Sequence, residues 1–148
     1  MYRYFGVDVG DRRIGLAVTD ALGYTAQGLE TYTRTGDDEK DAAYVREAAA
    51  KWAPCRIVFG LPRNMDGSYG PMCDKVRAFA ELVLNGWQGE YDFYDERLST
   101  MAAERFLYEA ELKWQKRRKV VDKLAAQVIL EGYLALHPVG AAPLPPIQ

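Results

Sequence analysis

The spacing of apolar and polar positions changes several times along the chain. Residues 4–9 (YFGVDV) form an apolar run broken by one acid, Asp8, and after a charged turn Ile14, Leu16 and Val18 alternate with small or polar residues. This predicts a β-hairpin whose first strand is buried on both faces. Gly23–Arg34, rich in Thr, Tyr and Leu, predicts a third, antiparallel strand. Asp37 and Asp38 then supply N-cap chemistry for a helix with an inner stripe of Val45, Ala48, Ala49 and Trp52, ended by Pro54. The continuous run Arg56–Leu61 predicts a parallel strand covered on both sides, leading into the turn-rich loop Pro62–Pro71. A helix from Met72 carries Met72, Val76, Phe79, Ala80 and Val83 on one face and stops at Asn85-Gly86. Tyr91–Glu96 predicts the last strand, and Ser99 or Thr100 caps a helix with an Ala103, Phe106, Leu107, Ala110 stripe. The basic run Lys113–Lys119 precedes a final helix, Val120–Leu136, with Val121, Leu124, Ala125, Val128 and Ile129 at helical spacing.

Three strands followed by alternating strands and helices predict a mixed α/β sheet of five strands, antiparallel then parallel, with helices on both faces. The 148 residues suffice for one domain, expected over residues 1–138, with the Pro-rich end 139–148 as an unstructured tail. The net charge of −2 gives no global basic signature, so any nucleic-acid contact must come from a local patch. Cys55 and Cys73 lack metal-ligand spacing, and the single histidine, His137, argues against zinc sites and histidine triads. With no signal-peptide pattern and no bilayer-length apolar run, the expectation is a cytoplasmic protein with no membrane partner.

In open α/β sheets sites gather beyond the carboxyl ends of the strands. Asp8 ends the first strand and Glu96 the last, so both acids fall at one edge. A charge in a buried strand needs a partner, and Gly10 lets another group approach the backbone closely. Asp122 lies one residue past Val121, about 100° round the last helix and at the border of its apolar stripe, from which it could join the other two. Oxygen ligands without histidine or thiol suit Mg²⁺ or Mn²⁺, and two such ions can support phosphodiester cleavage. Each acid also has a plainer reading: Asp8 as a solvated acid at a capped strand end, Glu96 as a surface acid paired with Arg97, Asp122 as a first-turn acid favoured by the helix dipole. The Lys113–Lys119 run could be a solvated face or a flank for phosphate oxygens, in company with Arg12, Arg13 and Arg97. Trp114 could stack on a base or pack on the domain.

The blocks GVDVGDRRIGLAVTD, VFGLPRNMDGSYGP, YDERLSTMAAERF and RRKVVDKLAAQVILEGYL, in order between Phe5 and Leu134, resemble the signature blocks of the YqgF family. This family, also called RuvX, comprises pre-16S rRNA nucleases or Holliday junction resolvase-like proteins. The resemblance implies an RNase H-like fold similar to that of the RuvC resolvases. It places the family's acids on Asp8, Glu96 and Asp122 as catalytic and metal-binding residues. It also implies that the Asn64–Gly67 loop lines the substrate edge, although Asp66 could equally bond its own backbone. Two departures stand out: Glu131 where the family often has Gln, and one acid in the last helix where RuvC-type resolvases have a close pair. The second bears on the second metal position, for which Asp95 is an alternative.

The function so implied is a Mg²⁺- or Mn²⁺-dependent nuclease that processes the 5′ end of pre-16S rRNA, as a monomer or weak homodimer, on pre-rRNA or ribosomal particles. Arg13, Asn64, Arg97 and Lys119 would contact substrate. Resolution of four-way branched DNA keeps the fold and changes the substrate. A non-catalytic, ribosome-associated RNA-binding factor is a further reading. An actin-like phosphate loop at Gly6–Gly10 is disfavoured, because such enzymes close two domains on a nucleotide.

Overall fold

The computed structural model describes residues 2–20, 22–63, 66–95 and 114–138, with side chains of the last helix described from residue 124 onward. Five strands form one sheet: β1 (Arg3–Val9), β2 (Arg13–Thr19), β3 (Ala26–Thr33), β4 (Cys55–Leu61) and β5 (Glu90–Asp95). Their order is β3-β2-β1-β4-β5. The first three pair antiparallel, and β4 and β5 continue parallel to β1. The carboxyl ends of β1, β4 and β5 therefore share one edge, as the pattern of elements required.

Alternation divides the side chains of β1 between two cores. Phe5, Val7 and Val9 join Ile14, Leu16, Ile57 and Phe59 under helices α1 (Asp38–Ala50) and α2 (Pro71–Leu84). Tyr4 belongs to the opposite face with Ala17, Val58, Ala126, Ile129, Leu130 and Tyr133, where helix α3 (Trp114–Leu136) packs. Helices thus cover both faces. Asp37 caps α1 by accepting from the N–H groups of Glu39 and Lys40. In α2 the buried stripe includes Cys73, while Met72 is only half-buried. Asn85 caps its carboxyl end and Gly86 follows at φ +95°, a left-handed stop that suits glycine.

Two expectations about the last helix need correction. It already includes Trp114, ahead of the expected start at Val120, so Trp114–Lys119 of the basic run is helical; Gln, Lys and Arg are good helix formers and nothing between them breaks the turn. Its buried stripe is Ala126, Ile129, Leu130, Tyr133 and Leu134, whereas Leu124, Ala125 and Val128 are only half-buried. The segment is apolar on more than one side, so periodicity alone admits two phases. Packing selects the phase that seats Tyr133, whose hydroxyl accepts from Arg56 Nη1 at 2.8 Å and donates to Asp92 Oδ2 at 2.8 Å. Leu130 sits against Gly6, where an added Cβ would lie 2.6 Å from Leu130 Cγ. The expected helix over 99–110, and the tail, lie outside the described residues.

Candidate active site

Asp8 is half-buried near the carboxyl end of β1 and, by alternation with Tyr4 and Gly6, lies on the α3 face of the sheet. Its register partner on β2 is Gly15. On the other side Val7 pairs with Phe59, and one step further in that register sets Gly60 beside Asp8. The carboxylate is thus bordered on both neighbouring strands by residues without side chains, and both glycines are buried. Gly10 allows the close approach expected of it: its N–H donates to Arg13 O at 2.9 Å, and a Cβ there would meet that oxygen at 2.7 Å. The turn so made puts Arg13 on the same face as Gly15 and Asp8, while Arg12 falls to the other side.

Helix α3 runs antiparallel to β1 across this face. The Tyr4 hydroxyl donates to His137 O at 2.6 Å and Leu130 covers Gly6, so the helix leads back from its carboxyl end towards Asp8. Asp122 lies in the helix, ahead of the residues whose side chains are described. Lys119 lies in the same helix, one turn earlier. Asn64, Glu96 and Arg97 lie outside the described residues. Among the described residues no group of three His, Cys, Asp or Glu is gathered closely enough to hold a metal ion.

The loop after β4 is tied to the same edge. Arg63 Nε donates to Gly67 O at 2.9 Å, and its Nη1 lies 3.5 Å from Asp95 Oδ2. Asp95 is thus engaged with Arg63, and alternation with Phe93 puts it on the α1–α2 face, away from Asp8. Asp66 accepts from the Ser68 N–H at 2.9 Å and the Ser68 hydroxyl at 2.6 Å, the local turn role that was one of its two readings. A cleft of about 660 Å³ opens beside the β1–β2 turn, lined by Arg12, Arg34, Lys75 and Phe79 among others. It lies on the side of the sheet opposite Asp8. Within it Lys75 is paired with Asp11 at 3.2 Å and Arg34 with Asp38 at 2.8 Å.

A family model described as "RuvX: Holliday junction resolvase" matches residues 2–136. The chain belongs to the RuvX family. A relative from Clostridioides difficile (strain 630), described as "Putative pre-16S rRNA nuclease", is 50% identical over 135 residues, covering 89% of this chain and 93% of the relative. One from Symbiobacterium thermophilum with the same description is 49% identical over 132 residues, covering 89% and 91%. Among solved structures, Thermus thermophilus RuvC in complex with a Holliday junction substrate superposes with TM-score 0.53 at 17% identity, over 92% of this chain and 96% of RuvC. RuvC alone gives 0.55 at 16% identity. These likenesses establish the RNase H-like fold, and membership of RuvX makes the chain a nuclease, a hydrolase of phosphodiester bonds.

Proposed function

We propose that this RuvX-family nuclease is a divalent-metal-dependent endonuclease that matures the 5′ end of pre-16S rRNA in the cytoplasm. The observation that carries the chemistry is Asp8: a half-buried acid in a buried strand, bordered by Gly15, on the face of the sheet that α3 covers. Relatives described as pre-16S rRNA nucleases at about half identity support the substrate.

The donor set suits Mg²⁺ or Mn²⁺, because Cys55 and Cys73 are buried in the opposite core and His137 lies at the far end of α3. Asp8, Glu96 and Asp122 would hold the ions, which when bound supply an activated water and stabilise the leaving oxygen. Arg13, on the Asp8 face, would hold a phosphate oxygen in position for attack, with Arg97 and Lys119 in the same role. Asn64 would contact the substrate from the β4–α2 loop. The working unit would be a monomer or weak homodimer acting on pre-rRNA, free or in ribosomal particles, and residues 1–138 would be its folded domain.

Cleavage of a precursor rRNA fragment and of a mobile four-way DNA junction, each titrated with Mg²⁺ and Mn²⁺, tests this directly. The parent should cut the RNA only with metal, and Asp8→Asn should melt like the parent while losing at least about a hundred-fold in rate, the scale of losing a group that stabilises developing charge. Equal rates for parent and Asp8→Asn would remove Asp8 from the mechanism. Preferential cutting of the junction would favour the second reading, branched-DNA resolution, to which the family description and the RuvC likeness point.

A further inference from the structure

Tyr69 stands in the loop between β4 and α2 and is 53% exposed. Two guanidiniums lie over its ring: Arg63 at 4.5 Å and Arg77, on the first turns of α2, at 4.6 Å. Their circumstances differ. Arg63 is spent on the loop, bonded to Gly67 O and paired with Asp95. Arg77 is exposed, and among the described residues it has no carboxylate partner; the ring is its contact. Lys75, two residues earlier, is paired with Asp11, and Arg34, Arg56 and Arg63 are each paired with an acid. An exposed cation–π contact is weak and is readily exchanged for a phosphate.

We infer that Tyr69 and Arg77 form a contact for an unpaired stretch of the nucleic-acid substrate, Arg77 taking a backbone phosphate and Tyr69 the face of a base. The contact lies at the carboxyl edge of the sheet, because Arg63 ties this loop to Asp95 at the end of β5. It falls on the α2 side, so it holds the strand beside the site and not the phosphate under attack. When Arg77 moves from the ring to a phosphate, the ring face it leaves is free for stacking, which is sequence-tolerant and requires a base not already paired. A duplex offers phosphates to Arg77 but no free base to Tyr69. The pair therefore favours a substrate with a single-stranded extension next to the cleaved bond. This rests on the nuclease reading and narrows its substrate.

The test is fluorescence anisotropy with a labelled single-stranded RNA and a blunt duplex of the same sequence, in chelator, together with cleavage of the precursor fragment in Mg²⁺. Tyr69→Ala should weaken single-strand binding between about five- and about a hundred-fold, the worth of one base–aromatic stack, and leave duplex binding unchanged. Tyr69→Phe should bind like the parent. Arg77→Gln should weaken both ligands and lower the dependence of log affinity on log salt by about one. If Tyr69→Ala binds single strands like the parent, or loses duplex affinity equally, while the parent binds and cuts, this inference alone is overturned. A parent that neither binds nor cuts overturns the substrate reading beneath it as well.

Discussion

Asp41 has no exposed surface, yet it carries a charge. Its carboxylate accepts from the Tyr32 hydroxyl at 2.9 Å, the Thr35 N–H at 3.0 Å, the Thr35 hydroxyl at 2.9 Å and Arg34 Nε at 3.2 Å. Burial by itself raises its pKa, but these bonds outweigh burial and hold the carboxyl below its ordinary value of 3.8. The folded protein thus binds this proton less readily than the unfolded chain. The resulting stability is complete above the ordinary carboxyl range and is lost as pH falls through the depressed folded value. Asp41→Ala should cost roughly 3 kcal/mol, because it takes the acceptor from the Tyr32 hydroxyl, from the Thr35 N–H and hydroxyl and from Arg34 Nε together, while Arg34 keeps Asp38 and Gly10 O. Urea melts at pH 7 and pH 3 check both points: the deficit should be large at pH 7 and smaller at pH 3. Asp41 was not legible in the sequence, where it is one of four acids in the stretch DDEKD, and only folding shows which of them is inside. Asp8 was legible for the opposite reason, as a lone charge in an apolar run.

At the scale of elements, α3 carries the largest difference between expectation and structure. Its apolar residues surround the helix, so spacing could not choose a phase. The choice came from shape and hydrogen bonding against the sheet: Leu130 needs the space over Gly6, and the Tyr133 hydroxyl needs Arg56 and Asp92. Burial in that network raises the Tyr133 pKa to about 12, so the hydroxyl keeps its proton at any working pH. Gly6→Ala should therefore destabilise by about 1–3 kcal/mol through overpacking against Leu130. Because that helix bears Asp122, a proposed metal ligand, cleavage should, on the proposed mechanism, fall further than the loss of folded protein explains. Chemical denaturation beside a rate measured well below the melting temperature separates the two effects. The capped helix ends, the start of α1 at Asp37 and the end of α2 before Gly86, were legible because caps act within a few residues of sequence.

For the whole molecule, the family match ends at residue 136, and the last tether to the sheet among the described residues is the Tyr4 hydroxyl on His137 O. Residues 139–148 should accordingly be dispensable: a variant ending at Pro138 should melt at the parent's temperature and cut at the parent's rate. A lower melting temperature would place the tail inside the cooperative unit. The order of the strands and of the described helices, the edge at which Asp8 lies and the parallel run of β4 and β5 could all be read from the chain. They follow from local period, cap chemistry and connection length, each decided by residues close in sequence. What only the tertiary structure decided is which side of each element faces which. The sheet sends Asp8 to the α3 face and Arg12 to the other, turns α3 so that Ala126, Ile129 and Tyr133 face it, and sets Arg77 over Tyr69. Those choices depend on contacts between residues distant in the chain, where side-chain shape and buried hydrogen bonds discriminate between arrangements that the apolar pattern leaves nearly equal.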